Sequence, residues 1–484
     1  RYSRDDGILS ETRLQPKGQP AMPDTLTRTG ALPANLTRDL AGWISGFDRG
    51  DLPDNVLKAT RLALLDTLGV GIHGQGEEWT GIARDWAFGA TAPDSDDAAT
   101  VWGEEDALLR TSDAAFVNGI AAHAFELDDF CQKLHPGAVV IPAAMAVAEA
   151  NNRNLGQLLG AIAVGYETMI RLSIALDPNQ ARLRGWHLTG VCGPQGAAAA
   201  ASWLLWLGSE QTAWALGLGA TQGSGLFAFN ADGAMSKRFH PGRAAQSGVM
   251  AAELAARGFS GPTKVLETDD GSFLTAFSDH ADGSKLLDGI GQRWELLTTN
   301  FKPFACCGSV HAYNDAAIAI RAKLGRAPLP GERVVAGLAK VVDVQCGYPY
   351  APGTSLNAQM SARYCIAVAL LDGAVLPGQF TAKRMAARDV CELAERIEIV
   401  GDAELDAIYP TKYPGWVEVH TDQGVVREDR ANPSGAHDSP NFTAGLMAKY
   451  DALLGEKGQG LKAIILEAPS ETPVRSIVQA MAAK

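Results

Sequence analysis

Aromatic residues make up only 7% of this 484-residue sequence, and its seven cysteines include no Cys-x-x-Cys pair. An odd cysteine count without paired spacing argues against a disulfide framework and for reduced thiols. Adjacent Cys306 and Cys307 also lack the spacing of an iron–sulfur cluster. Histidine is scarce at nine, and no His-x-x-x-His or comparable ligand spacing occurs, so no metal site is expected. Long apolar runs are missing: the stretch around 197–207 is too short to cross a bilayer. The first thirty residues are polar and carry no signal-peptide pattern, and Met22 is a candidate start, with 1–21 as an extension. These absences lead to the expectation of a cytoplasmic protein with no membrane partner. Positive charge is in deficit, since 42 Lys+Arg face 55 Asp+Glu for a net −13. That balance excludes nucleic acid and anionic membrane as the main partner. It also makes any local group of cations informative.

What the sequence does have is Ala and Gly in apolar stretches of helical period. With 46% hydrophobic and 20% charged residues, it has material for a large core and two domains. The patterning predicts a flexible tail over 1–31, a large all-helical domain over 32–286 and a smaller α+β lid domain over 287–431. Helices over 432–484 are expected to return to the helical domain. Strands are expected at 294–299, 334–344, 397–400 and 416–420 with 425–426, because β-branched residues partly alternate there. The expected fold class is therefore mainly α. Glu167 and Arg171 are spaced i,i+4 and read as a helix-surface or interface pair.

The chain is organised around Glu126-Leu-Asp-Asp129, followed by His135-Pro-Gly137 and a buried-helix pattern over 139–150. A histidine just before a helix meets unpaired N–H groups and a dipole that disfavour its protonated form. The same local order recurs at His187, at His240 within Lys237-Arg-Phe-His-Pro-Gly242, and at His311 after Cys306-Cys-Gly. Four such histidines, two of them beside Lys or Arg, point to a pocket for a multiply charged anion. In that pocket neutral bases and fixed cations would share the lining. His123 reads as a packed core histidine, and Cys306 and Cys307 as small packing residues. Arg238 and Arg243 fit structural salt bridges and substrate binding equally.

The sequence resembles the MmgE/PrpD family, which includes 2-methylcitrate dehydratase, cis-aconitate decarboxylase and iminodisuccinate epimerase. The resemblance spans about residues 36–454. It is carried by Phe116-Val-Asn-Gly119, Leu127-Asp-Asp129, His135-Pro-Gly137, Gly185-Trp-His187 with Gly190, and Met235-Ser-Lys-Arg238 with His240 and Gly242. Lys302-Pro-Phe304, Cys306-Cys-Gly308 and Gln359-Met-Ser361 complete it. It implies a homodimer of helical domains with α+β lids and an enzyme that needs no metal or nucleotide. It further implies His135 and His187 as an acid/base pair, Lys237 as a carboxylate or enolate partner, and Asp128 as a base or as the group orienting His135. Lys302, His240 and Tyr348 follow as substrate-binding candidates. One departure is Glu126, where many members carry Asp. The function implied is a cofactor-independent lyase on a small di- or tricarboxylate, with dehydration of a 2-methylcitrate- or citrate-like substrate foremost. Decarboxylation of cis-aconitate and epimerisation are the alternatives within the family. A non-catalytic binding protein that keeps the fold is the alternative outside it.

Overall fold

The structure is a computed structural model that describes residues 32–48, 50, 52–90, 97–104 and 107–482. The expected tail over 1–31 lies outside the described residues. Five helices frame the site: Thr111–Ala122, Gly137–Ala150, Leu155–Ala175, Leu188–Leu204 and Ser236–Ala256. Their small residues set the spacing. A Cβ on Gly119 would lie 2.8 Å from the Gly242 Cα, and one on Gly193 would lie 2.7 Å from the Ala244 Cβ. No side chain fits at Gly119, so helices Thr111–Ala122 and Ser236–Ala256 cross almost backbone to backbone. That crossing brings the start of the latter helix, with Lys237 and His240, against the end of the former, where His123 follows Ala122.

Helix Leu155–Ala175 is long and apolar enough to cross a membrane by composition, which the sequence reading overlooked. Here nearly all of it is packed inside the protein. Its Glu167 and Arg171 pair at 2.8 Å, but both are fully buried rather than on a surface. The Arg171 guanidinium donates to the carbonyls of Leu286, Asp288 and Arg293, and Glu167 accepts the Leu296 N–H. A buried pair with its remaining hydrogen-bonding capacity filled avoids most of the desolvation cost.

A second hydrophobic cluster surrounds a four-stranded sheet. Strand Arg333–Leu338 pairs in parallel with Ile397–Gly401 and antiparallel with Gly415–Thr421, which pairs with the edge strand Gly424–Arg430. The parallel pair requires a crossover, supplied in part by helices Ala362–Asp372 and Arg388–Arg396. Two strand expectations fail. Residues 294–299 form a 3-10 turn, Glu295–Thr298, and 334–344 divides into the strand and helix Lys340–Cys346. Apolar alternation over a few residues does not separate a short buried turn from a strand. Leu446, Tyr450, Leu461, Ile465 and Ile477 from the last helices join the first core cluster.

Candidate active site

The acidic motif sits on a sharp reversal. Phe125 and Glu126 have φ of 55° and 56°, left-handed values that non-glycine residues adopt at a cost. The reversal turns Glu126, Asp128 and Asp129 inward, where all three are fully buried. Glu126 pairs with Lys237 and lies 3.3 Å from the Lys302 Nζ. Asp128 contacts Lys302 at 2.9 Å through Oδ1. Its Oδ2 lies 2.6 Å from His123 Nδ1 and 3.1 Å from His135 Nδ1. Burial opposes charge on both acids, but Lys237 and Lys302 hold Glu126 well below its usual range, and His123, His135 and Lys302 do the same for Asp128. Two carboxylates and two ammoniums thus cancel.

Asp129 has a different task. Its Oδ1 accepts the Gly137 N–H at 2.9 Å and its Oδ2 accepts the Tyr166 hydroxyl at 2.8 Å. It therefore anchors the first turn of helix Gly137–Ala150. Burial, then the Asp128 charge, raises its carboxyl to about 7.

Three imidazoles gather above the acids. Ring centroids lie 4.7 Å apart for His123 and His135, and 6.2 Å for both His135–His187 and His123–His187. His135 is held through Nδ1 by the Asp129 carbonyl at 2.9 Å and by Asp128. His187 stands at the start of helix Leu188–Leu204, its Nδ1 2.9 Å from the His240 Nδ1. Burial, then His240 and Lys237, keeps His187 well below the usual imidazole range, and His240 falls to about 4 from burial and Lys237. His123 is a core histidine as expected, yet it is also part of this group. Its Nδ1 is bound by Asp128, and its buried Nε2 has no partner among the described residues. Burial lowers it to about 3 against the pull of Asp128.

One nitrogen from each of His123, His135 and His187 lies within 4.8 Å of the others, so among the described residues these three could together hold a metal ion. Spacing rules miss the group because each ring comes from a separate segment. The neighbouring Lys237 charge works against a bound cation.

His135, His187 and Lys237 line one cavity, together with Cys307, Ser309 and Tyr409 from the sheet-bearing half. The cavity holds about 40 Å³, room for a few waters. The other expected residues do not line it. Asp128 and Lys302 lie beneath the histidines, committed to each other, and His240 stands behind His187. His240 is also not just before its helix but inside Ser236–Ala256. Tyr348 donates its hydroxyl to the Asn357 carbonyl at 2.8 Å. His311 is the first residue of helix His311–Leu324, with Nε2 3.2 Å from the Cys306 carbonyl. Arg238 donates to Gln359 at 2.9 Å, and Arg243 to Gln246 at 2.7 Å. Lys133, Arg182 and Tyr409 were not singled out in the sequence. The charges of Lys133 and Arg182 against an acidic background were the available signal.

Residues 38–284 match the MmgE/PrpD N-terminal domain and residues 304–468 the MmgE/PrpD C-terminal domain. The cis-aconitate decarboxylase of Homo sapiens is 32% identical over 376 residues, covering 75% of this chain and 76% of its own. That of Aspergillus terreus is 28% identical over 447 residues, covering 87% and 90%. The cis-aconitate decarboxylase-like protein oryM of Aspergillus oryzae is 29% identical over 404 residues, covering 79% and 83%.

Proposed function

Because the chain belongs to the MmgE/PrpD family, we propose that it is a lyase acting on a small tricarboxylate, with decarboxylation of cis-aconitate to itaconate as its reaction. The convergence of His135, His187 and Lys237 on one cavity carries the reading. Sequence motifs alone favoured dehydration; the names of the relatives move the preference to decarboxylation.

The chemistry needs one proton delivered and one carbon–carbon bond broken. CO₂ leaves from the saturated arm, and the electron pair of that bond forms a new double bond to the central carbon. The former double bond is protonated at its far carbon, next to a carboxylate. Negative charge builds on that carboxylate as CO₂ departs, and Lys237 is placed to stabilise it. His135 serves as the acid. Its Nδ1 is fixed by Asp128 and the Asp129 carbonyl, which leaves Nε2 for the cavity. Asp128 supplies the counter-charge while the ring carries two protons. His187, kept neutral with its Nδ1 against His240, presents its Nε2–H as a donor to a substrate carboxylate.

Dehydration is the second reading, favoured by the His135–His187 pair itself. Removing a proton beside a carboxylate and protonating a leaving hydroxyl needs a base and an acid together. Incubation with cis-aconitate, citrate and 2-methylcitrate, followed by NMR, separates the two. Itaconate from cis-aconitate is the expected product, and loss of water from either citrate would replace it with the second reading. No turnover of any polycarboxylate would leave the non-catalytic alternative standing.

Two copies of the chain are proposed to pair. Ile82, Trp86, Met235 and Phe239 form an exposed apolar patch on one face, of a kind that marks interaction surfaces.

A further inference from the structure

The cations around the cavity are of two kinds. Lys237 and Lys302 are neutralised by Glu126 and Asp128. Lys133 and Arg182 line the same cavity, and neither has a carboxylate partner among the described residues. The Lys133 ammonium donates to the Tyr409 hydroxyl at 2.7 Å and to Gln345 Oε1 at 3.4 Å. The Tyr409 hydroxyl in turn meets Ser309 Oγ at 2.7 Å. Arg182 is 7% exposed and lies 3.4 Å over the Phe227 ring. Its guanidinium makes no side-chain hydrogen bond among the described residues, and its buried Nε has no partner.

Two cations lining one cavity, Arg182 buried and Lys133 half-buried, oppose folding. The backbone adds to the cost. Gln132 and Lys133 have φ of 44° and 66° in a two-residue reversal closed by Cys131 and Leu134. Tight reversals with both central residues left-handed favour Asn and Gly. A lysine kept there, against its own conformational preference, is the kind of strain that accompanies a binding role.

We propose that Lys133 and Arg182, with the Tyr409 and Ser309 hydroxyls, form a second carboxylate subsite that holds a substrate carboxylate not undergoing reaction. This rests on the reading of the cavity as a polycarboxylate site. It makes the substrate an acid with carboxylates at two separated places, one at the histidines and one at the paired cations. The carboxylate supplies the missing counter-charge and fills the empty guanidinium donors.

The test uses tricarballylate, an unreactive saturated tricarboxylate, in titration calorimetry with the full chain, Lys133→Met, Arg182→Gln and Lys133→Arg. Each charge-removing variant is expected to weaken tricarballylate by about tenfold or more, while Lys133→Arg retains most of the affinity. Glutarate and 2-methylsuccinate, each lacking one carboxylate, are expected to bind less tightly, and at least one of them to be less sensitive to the variants. Melting temperature is the second readout. Lys133→Met is expected to melt higher than the native chain, since it removes a half-buried charge that faces Arg182, whereas a merely structural lysine would melt lower on removal. Unchanged affinity in both charge-removing variants overturns the subsite even if the native chain turns substrate over. Charge-dependent binding by a chain that turns nothing over keeps the subsite and removes the proposed reaction. A native chain that binds no tricarballylate removes both.

Discussion

His187 and His240 meet through their Nδ1 atoms at 2.9 Å, so one ring donates the proton the other accepts. Nδ1 of His187 is thereby occupied, and its other nitrogen is the one left for the cavity. His240→Ala frees the His187 ring to rotate and to change tautomer. Turnover is expected to fall about 10- to 100-fold, with His240→Gln recovering part of it because Gln can both donate and accept. His187→Asn should lose about 10²- to 10⁴-fold in kcat. Steady-state kinetics on the three variants checks this; equal losses for His240→Ala and His240→Gln would remove the positioning role.

Among the described residues, Glu126 is the single counter-charge that Lys237 contacts and one of two for Lys302. Glu126→Gln leaves buried ammonium groups short of one negative charge. The expected cost is about 3–5 kcal/mol of stability, the range for breaking a buried pair by removing one partner. Glu126→Asp keeps the charge on a shorter arm and should cost less. Thermal denaturation of both variants checks the order.

Lys133 gives the clearest pH dependence. Its folded value of about 7 lies below the ordinary lysine value of 10.5, so between the two the unfolded chain binds more protons. Stability of the ligand-free protein should therefore rise with pH from about 7 to about 10, by on the order of 1–2 kcal/mol after allowing for partial exposure of the residue. Anion affinity runs the other way. Binding needs the protonated form, so tricarballylate should weaken by about tenfold per pH unit above about 7. Lys133→Met should flatten both slopes, as measured by melting curves and calorimetry across pH.

The apolar face offers a test of association. Trp86 and Ile82 are 60% and 57% exposed, and Trp86 meets Phe116 edge-on at 5.7 Å. Ile82→Asp with Trp86→Asp should convert a dimer to a monomer in light scattering, with little change in melting of the monomer. An unchanged mass would place the interface elsewhere.

Some of this was legible in the sequence. The helix His311–Leu324 begins where the pattern put it, because small-residue runs after a polar segment have few other ways to bury themselves; the one after His187 begins at Leu188, ahead of the small-residue run that marked it. The family motifs placed His135, His187 and Lys237 before any geometry was known. What stayed hidden depends on pairing in space. Nothing in the chain order says that Lys237 and Lys302 share one glutamate, or that Lys133 and Arg182 have none among the described residues. His240 lies within a helix rather than ahead of it because Pro241 is accommodated inside Ser236–Ala256, against the usual reading of proline as a break. The expected strand at 294–299 fails for lack of a neighbouring strand to pair with, which a local pattern does not reveal.

In the proposed decarboxylation, the narrowness of the chamber decides who supplies the new hydrogen. With space for a few waters only, a six-carbon acid displaces the solvent it meets and fits once the walls part and settle around it. A carbanion formed there has side-chain protons as neighbours instead of a bulk reservoir. In heavy water the product should then carry its new deuterium on one face of the carbon, handed over by a ring whose orientation two buried aspartates have already fixed.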